Sequence, residues 1–139
     1  MKLLSLSFTA LGLATFSLAT SVSWDAGYDS SSRSLTVVAC SDGANGLITR
    51  YKWQTQGQIP TFPYIGGWQG VTGWNSPNCG TCHSLTYNGK TIYILAIDHA
   101  GNGFNIAKTA MNALTDGNAE QFGRVEATAV KVANSYCKI

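Results

Sequence analysis

The chain has 139 residues, 45% of them hydrophobic and only 12% charged, with nine Lys plus Arg against seven Asp plus Glu for a formal charge of +2. So slight a positive balance, without any Lys/Arg cluster, gives no electrostatic reason to bind nucleic acid or anionic lipid and points to an uncharged partner. Beyond the first residues no segment is apolar enough to span a bilayer, so no membrane association is expected.

At the N-terminus, Lys2 precedes an apolar, Leu-rich stretch from Leu3 to Leu18 that closes on small residues at Ser17 and Ala19, the pattern of a cleaved secretory peptide. Polar interruptions and the lack of a basic flank on the far side argue against a permanent anchor. Residues 1–19 are therefore read as a signal peptide and 20–139 as one exported domain of ordinary size, expected to be a monomer. Without Lys2, eight basic and seven acidic side chains leave a formal charge of +1.

Strand-like segments follow at Val22 to Tyr28 and Leu35 to Cys40, the serines at 30–32 punctuating between them. The Gly-rich stretches at 43–46 and 66–73 read as turns, too short to be linkers. Cys79-Gly80-Thr81-Cys82 has the C-x-x-C spacing, and with His83 it matches the haem-attachment pattern; the four cysteines with His83 also have the composition of a zinc site. Secretion and an even cysteine count favour disulfides instead, so neither metal nor cofactor is expected. Cys40, Cys79, Cys82 and Cys137 permit three pairings that the sequence does not choose between; pairing each half of the C-x-x-C outward would close two long loops.

Cys82 to Tyr87 and Thr91 to Asp98 form a predicted hairpin about Asn88-Gly89, since Asn-Gly supplies the positive φ angles of a two-residue turn. Ile92 to Ile97 is apolar without alternation, which predicts a strand buried on both faces with Asp98 at its end. From Phe104 to Leu114 the period becomes helical, with Ala107, Ala110, Met111 and Leu114 on one stripe and Gly117 as a stop. Val125 to Ala133 alternates and then shifts phase at Val130, which predicts a bulge or a strand passing between sheets. Many short strands with Gly-rich turns and one helix argue a small, mainly β barrel.

Cys40-Ser41-Asp42-Gly43 with Asn45-Gly46-Leu47, the stretch Gly57 to Pro63, Ile65-Gly66-Gly67, Gly73 to Cys82, and Ile97-Asp98 with Gly103-Phe104-Asn105 resemble the cerato-platanin family of small secreted fungal proteins along the whole exported domain. The resemblance implies a six-stranded double-psi β-barrel with short helices, related to the first domain of expansins, and disulfides Cys40–Cys79 and Cys82–Cys137. It also implies an extracellular or wall-bound protein that binds chitin oligomers, loosens chitin or cellulose without efficient hydrolysis, and is recognised by plants as an elicitor; some members are allergens.

Asp98 is the foremost candidate for carbohydrate binding: the resemblance places it on the barrel aspartate shared with expansins, and an ionised carboxylate accepts paired hydrogen bonds from hydroxyls. The alternative is an aspartate that caps its own turn through Ala100 and Gly101. His99 is either a donor to sugar or a plain loop residue. Asn105 has the amide suited to a hydroxyl or N-acetyl group and equally suits a helix N-cap. Trp74, Asn75 and Ser76 lie beside the C-x-x-C, where the indole either offers a flat face to a pyranose or packs over the bridge. Asp42 either lines the groove or sets its turn. Trp53 and Trp68 are further candidates, whereas Trp24 and Tyr28 read as packing residues.

Three readings follow. The first is a non-enzymatic binder of neutral wall polysaccharide that a plant surface receptor also sees. The second is a glycoside hydrolase using Asp98, with Asp25, Asp29 or Asp42 as the second acid. The third is a surface-active structural wall protein, prompted by high glycine, low charge and several aromatics.

Overall fold

The computed structural model describes residues 19–139; the expected secretory segment lies, save Ala19, outside them. Six strands close into a barrel: β1 Ala19–Trp24, β2 Ile65–Trp68, β3 Cys82–Tyr87, β4 Lys90–His99, β5 Phe104–Ile106 and β6 Arg124–Val132. Around the barrel they run β1-β5-β2-β4-β3-β6. The β1–β5 and β2–β4 pairs are parallel and the other four antiparallel. Short helices α1 Leu47–Tyr51, α2 Lys108–Thr115 and α3 Ala119–Phe122 lie outside, with several 3-10 turns. Both disulfides expected from the resemblance form, Cys40–Cys79 and Cys82–Cys137, closing sequence separations of 39 and 55 residues. Loops of that length are worth about 4 kcal/mol each in the chain-entropy view. With all four thiols in bridges, the haem and zinc readings of the C-x-x-C lose their ligands.

The Asn88-Gly89 hairpin is present, with φ of +51° and +83°, and β4 carries the fully buried run Ile94 to Ile97, against which α2 packs. Other elements depart from their sequence patterns. The segment Leu35 to Cys40 is not a strand; Ser34 caps a 3-10 turn over Leu35–Val37 by accepting from the Thr36 amide. The strand expected to reach Tyr28 ends at Trp24, where Asp25 accepts from the Gly27 amide and starts a 3-10 turn. The helix expected from Phe104 begins only at Lys108, because residues 104–106 pair with β1 and β2. Asn105 is therefore not its cap. Asp29, from across the chain, accepts from the amides of Lys108 and Thr109 and does that work. No bulge interrupts β6: its first half pairs with β1 and its second with β3, and Val130 faces outward, 52% exposed.

The sequence pattern conceals β2 altogether, since Ile65-Gly66-Gly67-Trp68 looks like a turn. These glycines serve close approach. A Cβ on Gly66 would lie 2.5 Å from the Asn105 carbonyl oxygen, and one on Gly67 would lie 2.7 Å from that of His99. Only a strand without side chains fits between β4 and β5 there.

Candidate functional site

One register row crosses four neighbouring strands: Ser23 of β1 stands opposite Asn105 of β5, Asn105 opposite Gly67 of β2, and Gly67 opposite Asp98 of β4. Val22, Phe104 and Ile106, adjacent along β1 and β5, point into the core, so strand alternation turns the row outward. Asp98 reaches it through an irregularity. Between Gly66 and Gly67 the β2–β4 register shifts, Gly66 pairing with Ala96 and Gly67 with Asp98, which leaves Ile97 as the extra residue. Such a bulge re-aims the side chain beyond it, and it also explains how Ala96 and Ile97 can both be buried.

Three hydrogen bonds hold the Asp98 carboxylate. The Tyr28 phenol donates to Oδ2 at 2.8 Å, while the amides of Ala39 and His99 each donate to Oδ1 at 2.9 Å. The turn-capping role is thus real, yet the side chain is only half-buried. A carboxylate has about four lone-pair positions, so roughly one acceptor position remains. Tyr28 is 4% exposed, and burial first, then the charge of Asp98, pushes its phenol far above its ordinary pKa. It therefore stays a donor. Its oxygen would lie 3.3 Å from a Cβ on Gly67, so the phenol fills the notch that the glycine leaves beside Asp98.

On the other side of Gly67, the Ser23 hydroxyl donates to Oδ1 of Asn105 at 2.9 Å. Among the described residues, Nδ2 of Asn105 donates to none. Ser23, Asn105, His99, Asn102 and Arg124 line an open trough of about 440 Å³, and Asp98 stands beyond its lining, across Gly67. His99 is exposed, and its Nδ1 donates to the Val71 carbonyl at 2.6 Å, which leaves Nε2 as an acceptor in the neutral ring. Arg124 hydrogen-bonds Ser21 at the rim.

A second group stands at the Cys40–Cys79 bridge. Trp74 is 62% exposed, so it is not a core residue over the disulfide. Its indole Nε1 donates to Asp42 Oδ1 at 2.7 Å. The ring lies against Gly43, whose φ is +82° and whose added Cβ would come 2.9 Å from Cζ2 of the indole. Both requirements favour glycine. Asn75, at φ +63°, accepts from the Asn45 amide through Oδ1 and receives Asn45 Nδ2 at its carbonyl, which clamps the two loops together. Ser76 is buried and its hydroxyl accepts from the Asn78 amide, inside the loop. Ala39, which donates to Asp98, is three residues from Asp42, so the two groups are joined by a segment no longer than about 11 Å.

Trp53 stacks on Tyr51 with ring centroids 4.4 Å apart. Trp68 is spent on packing, its ring 4.1 Å from that of the buried His83 and stacked on Phe104. Among the other acids, Asp25 caps a 3-10 turn, Asp29 caps α2 and Asp42 holds Trp74. The sequence pattern did not mark Ser23 and Gly67 as members of the row, nor Tyr28 as the phenol that holds Asp98. Ser23 is legible as a polar residue alternating with Val22, but Tyr28 reaches Asp98 through a 3-10 turn that no periodicity announces.

A family model described as cerato-platanin matches residues 20–139. The heat-stable 19 kDa antigen of Coccidioides immitis is 52% identical over 118 residues, which span 85% of this chain and 80% of the antigen. The crystal structure of cerato-platanin 1 from M. perniciosa superposes with a TM-score of 0.82 at 46% identity, covering 86% of this chain and 99% of that one. The solution structure of the fungal elicitor cerato-platanin superposes at 0.76 with 40% identity, covering 84% and 95%.

Proposed function

The chain belongs to the cerato-platanin family, and on that premise we propose that it is a secreted, non-hydrolytic carbohydrate-binding protein that loosens a wall polymer such as chitin and acts on plants as an elicitor. The observation that carries the reading is the outward row Ser23-Asn105-Gly67-Asp98, an acceptor and a free amide donor two strand spacings apart, about 10 Å, on rigid strands. A fixed array of this kind suits hydroxyl and N-acetyl groups, and the exposed indole of Trp74 adds a flat face for the C–H side of a pyranose. Loosening works by competition: Asp98 and Asn105 replace hydrogen bonds between polymer chains, and no covalent bond breaks. Export is supported by the leader pattern of residues 1–19 and by the two disulfides. The elicitor role comes from the related protein whose solution structure carries that description.

Hydrolysis is disfavoured by how the acids are employed. An inverting enzyme needs a second carboxyl free to act about 6.5–9.5 Å from the first. Asp25, Asp29 and Asp42 are each engaged in holding a turn, a helix or an indole. Calorimetric titration of chitin hexamer into wild type and Asp98→Ala, with reducing ends assayed in parallel, tests the reading. Binding that weakens about tenfold with no new reducing ends is expected; unchanged affinity removes Asp98 from the site, and cleavage abolished by Asp98→Asn makes the protein a hydrolase.

A further inference from the structure

At the opposite end of β4 from Asp98 lies a second open cleft of about 330 Å³, whose lining includes Thr61, Tyr64, Thr91, Tyr93, Tyr136 and Lys138. Its volume falls at the lower end of the range for small-molecule sites. Tyr136 rests on Tyr93 with ring centroids 4.9 Å apart and planes at 23°, and it leaves 56% of its surface to solvent. The pair is prepared in advance, because Tyr93 sits within a barrel strand and Tyr136 adjoins Cys137 of the second disulfide. A stacked, anchored tyrosine that leaves much of its ring to solvent loses little entropy when it meets a ligand.

We propose that this cleft is a second glycan site, which makes the protein bivalent. Aromatic faces beside the hydroxyls of Thr61, Thr91 and the tyrosines suit a neutral pyranose, apolar on one side and hydroxylated at its edge. No carboxylate lines the cleft, and its one charged side chain, Lys138, is exposed at the C-terminal turn. The ligand class follows from this lining and does not depend on the row at Asp98. Ile92 and Asp98 are six residues apart on one strand, about 20 Å at the usual rise, so a single sugar ring cannot occupy both places. A protein with sites at both ends of its barrel bridges two polymer chains or grips one twice, and gains avidity in either case.

Residue-resolved NMR titration with chitin hexamer and, separately, cellulose hexamer tests the proposal. Amide shifts at Thr91, Tyr93, Tyr136 and Lys138 are expected to saturate with their own midpoint, distinct from that of Asn105 and Asp98. Tyr136→Ala weakens the first midpoint about five- to tenfold and spares the second; Tyr136→Phe retains it. Wild type is also expected to clump chitin nanocrystals, and Tyr136→Ala to bind them without clumping. Shifts confined to Asn105 and Asp98 overturn the second site and leave the proposed function standing. Shifts confined to Tyr93 and Tyr136 overturn the row at Asp98 and the bivalency together, leaving the cleft as a lone glycan site, and a silent titration at both ends overturns both sites.

Discussion

The phenol of Tyr28 donates a 2.8 Å hydrogen bond to the carboxylate of Asp98, seventy residues away in sequence. It joins the 3-10 turn after β1 to the end of β4 and fixes the orientation of the acid that faces outward. Asp98 is thereby an oriented acceptor before any ligand arrives.

Tyr28→Phe keeps the ring and removes only the donor. It is expected to cost about 1–2 kcal/mol of stability, read from the urea midpoint, since one charge-assisted hydrogen bond in a mostly buried place is lost. Affinity for chitin oligomers should fall a few-fold, because the carboxylate gains freedom it must give up on binding. Unchanged affinity would mean that the orientation of Asp98 is held by the two backbone amides alone.

Gly67→Ala puts a methyl 2.7 Å from the His99 carbonyl oxygen and beside the Tyr28 phenol. The β2–β4 pair cannot absorb that contact without shifting, so a loss of about 3 kcal/mol is expected together with altered Asn105 and Asp98 amide resonances. Gly73→Ala, in open space, serves as the control and should leave both unchanged.

Trp74→Ala should leave thermal stability within about 0.5 kcal/mol, as befits an exposed side chain, while weakening oligosaccharide binding about three- to tenfold. Indole emission in the wild type should respond to the sugar and the response should vanish in this variant. If the variant binds as well as wild type, the glycan rests on the Asn105 row and not on the aromatic platform.

His83 gives the protein a pH dependence. The ring is 2% exposed between Trp68 and Phe104, its Nε2 sits 2.8 Å from the Thr81 hydroxyl, and burial, with a smaller contribution from Lys131, lowers its pKa to about 4. The unfolded chain binds a proton near pH 6.5, the folded chain only near 4. Stability is therefore whole above pH 6.5, falls as the pH drops from 6.5 to 4, and levels off below, with a total loss of about 3 kcal/mol. Denaturant midpoints measured between pH 7 and 4 should trace this fall, and His83→Phe should flatten it.

Much of this was legible because the relevant signals are local. Asn88-Gly89 demands its hairpin, the uninterrupted run to Ile97 demands a buried strand, and the four cysteines demanded bridges once export was read. The site was legible only in its members. Asp98 and His99 carry polar groups at the end of β4 and Asn105 one in the middle of β5, but their arrangement rests on long-range facts: a register shift that moves Ile97 out of the pairing, a phenol from a distant turn, and a glycine strand that resembles a loop. Asn105 misled for a physical reason. Its neighbours have helical periodicity, yet the backbone at 104–106 is claimed by two strands, and Asp29 caps the helix in its stead.

The proposed function requires that Asp98 and Asn105, parted by Gly67, grip one glycan as a single site. A double-mutant cycle measured by calorimetry with chitin hexamer tests it most directly, using Asp98→Asn, Asn105→Ala and the pair together. Each single substitution is expected to weaken binding about tenfold, and the double to fall well short of the product of the two. Wild-type affinity in both single variants would contradict it.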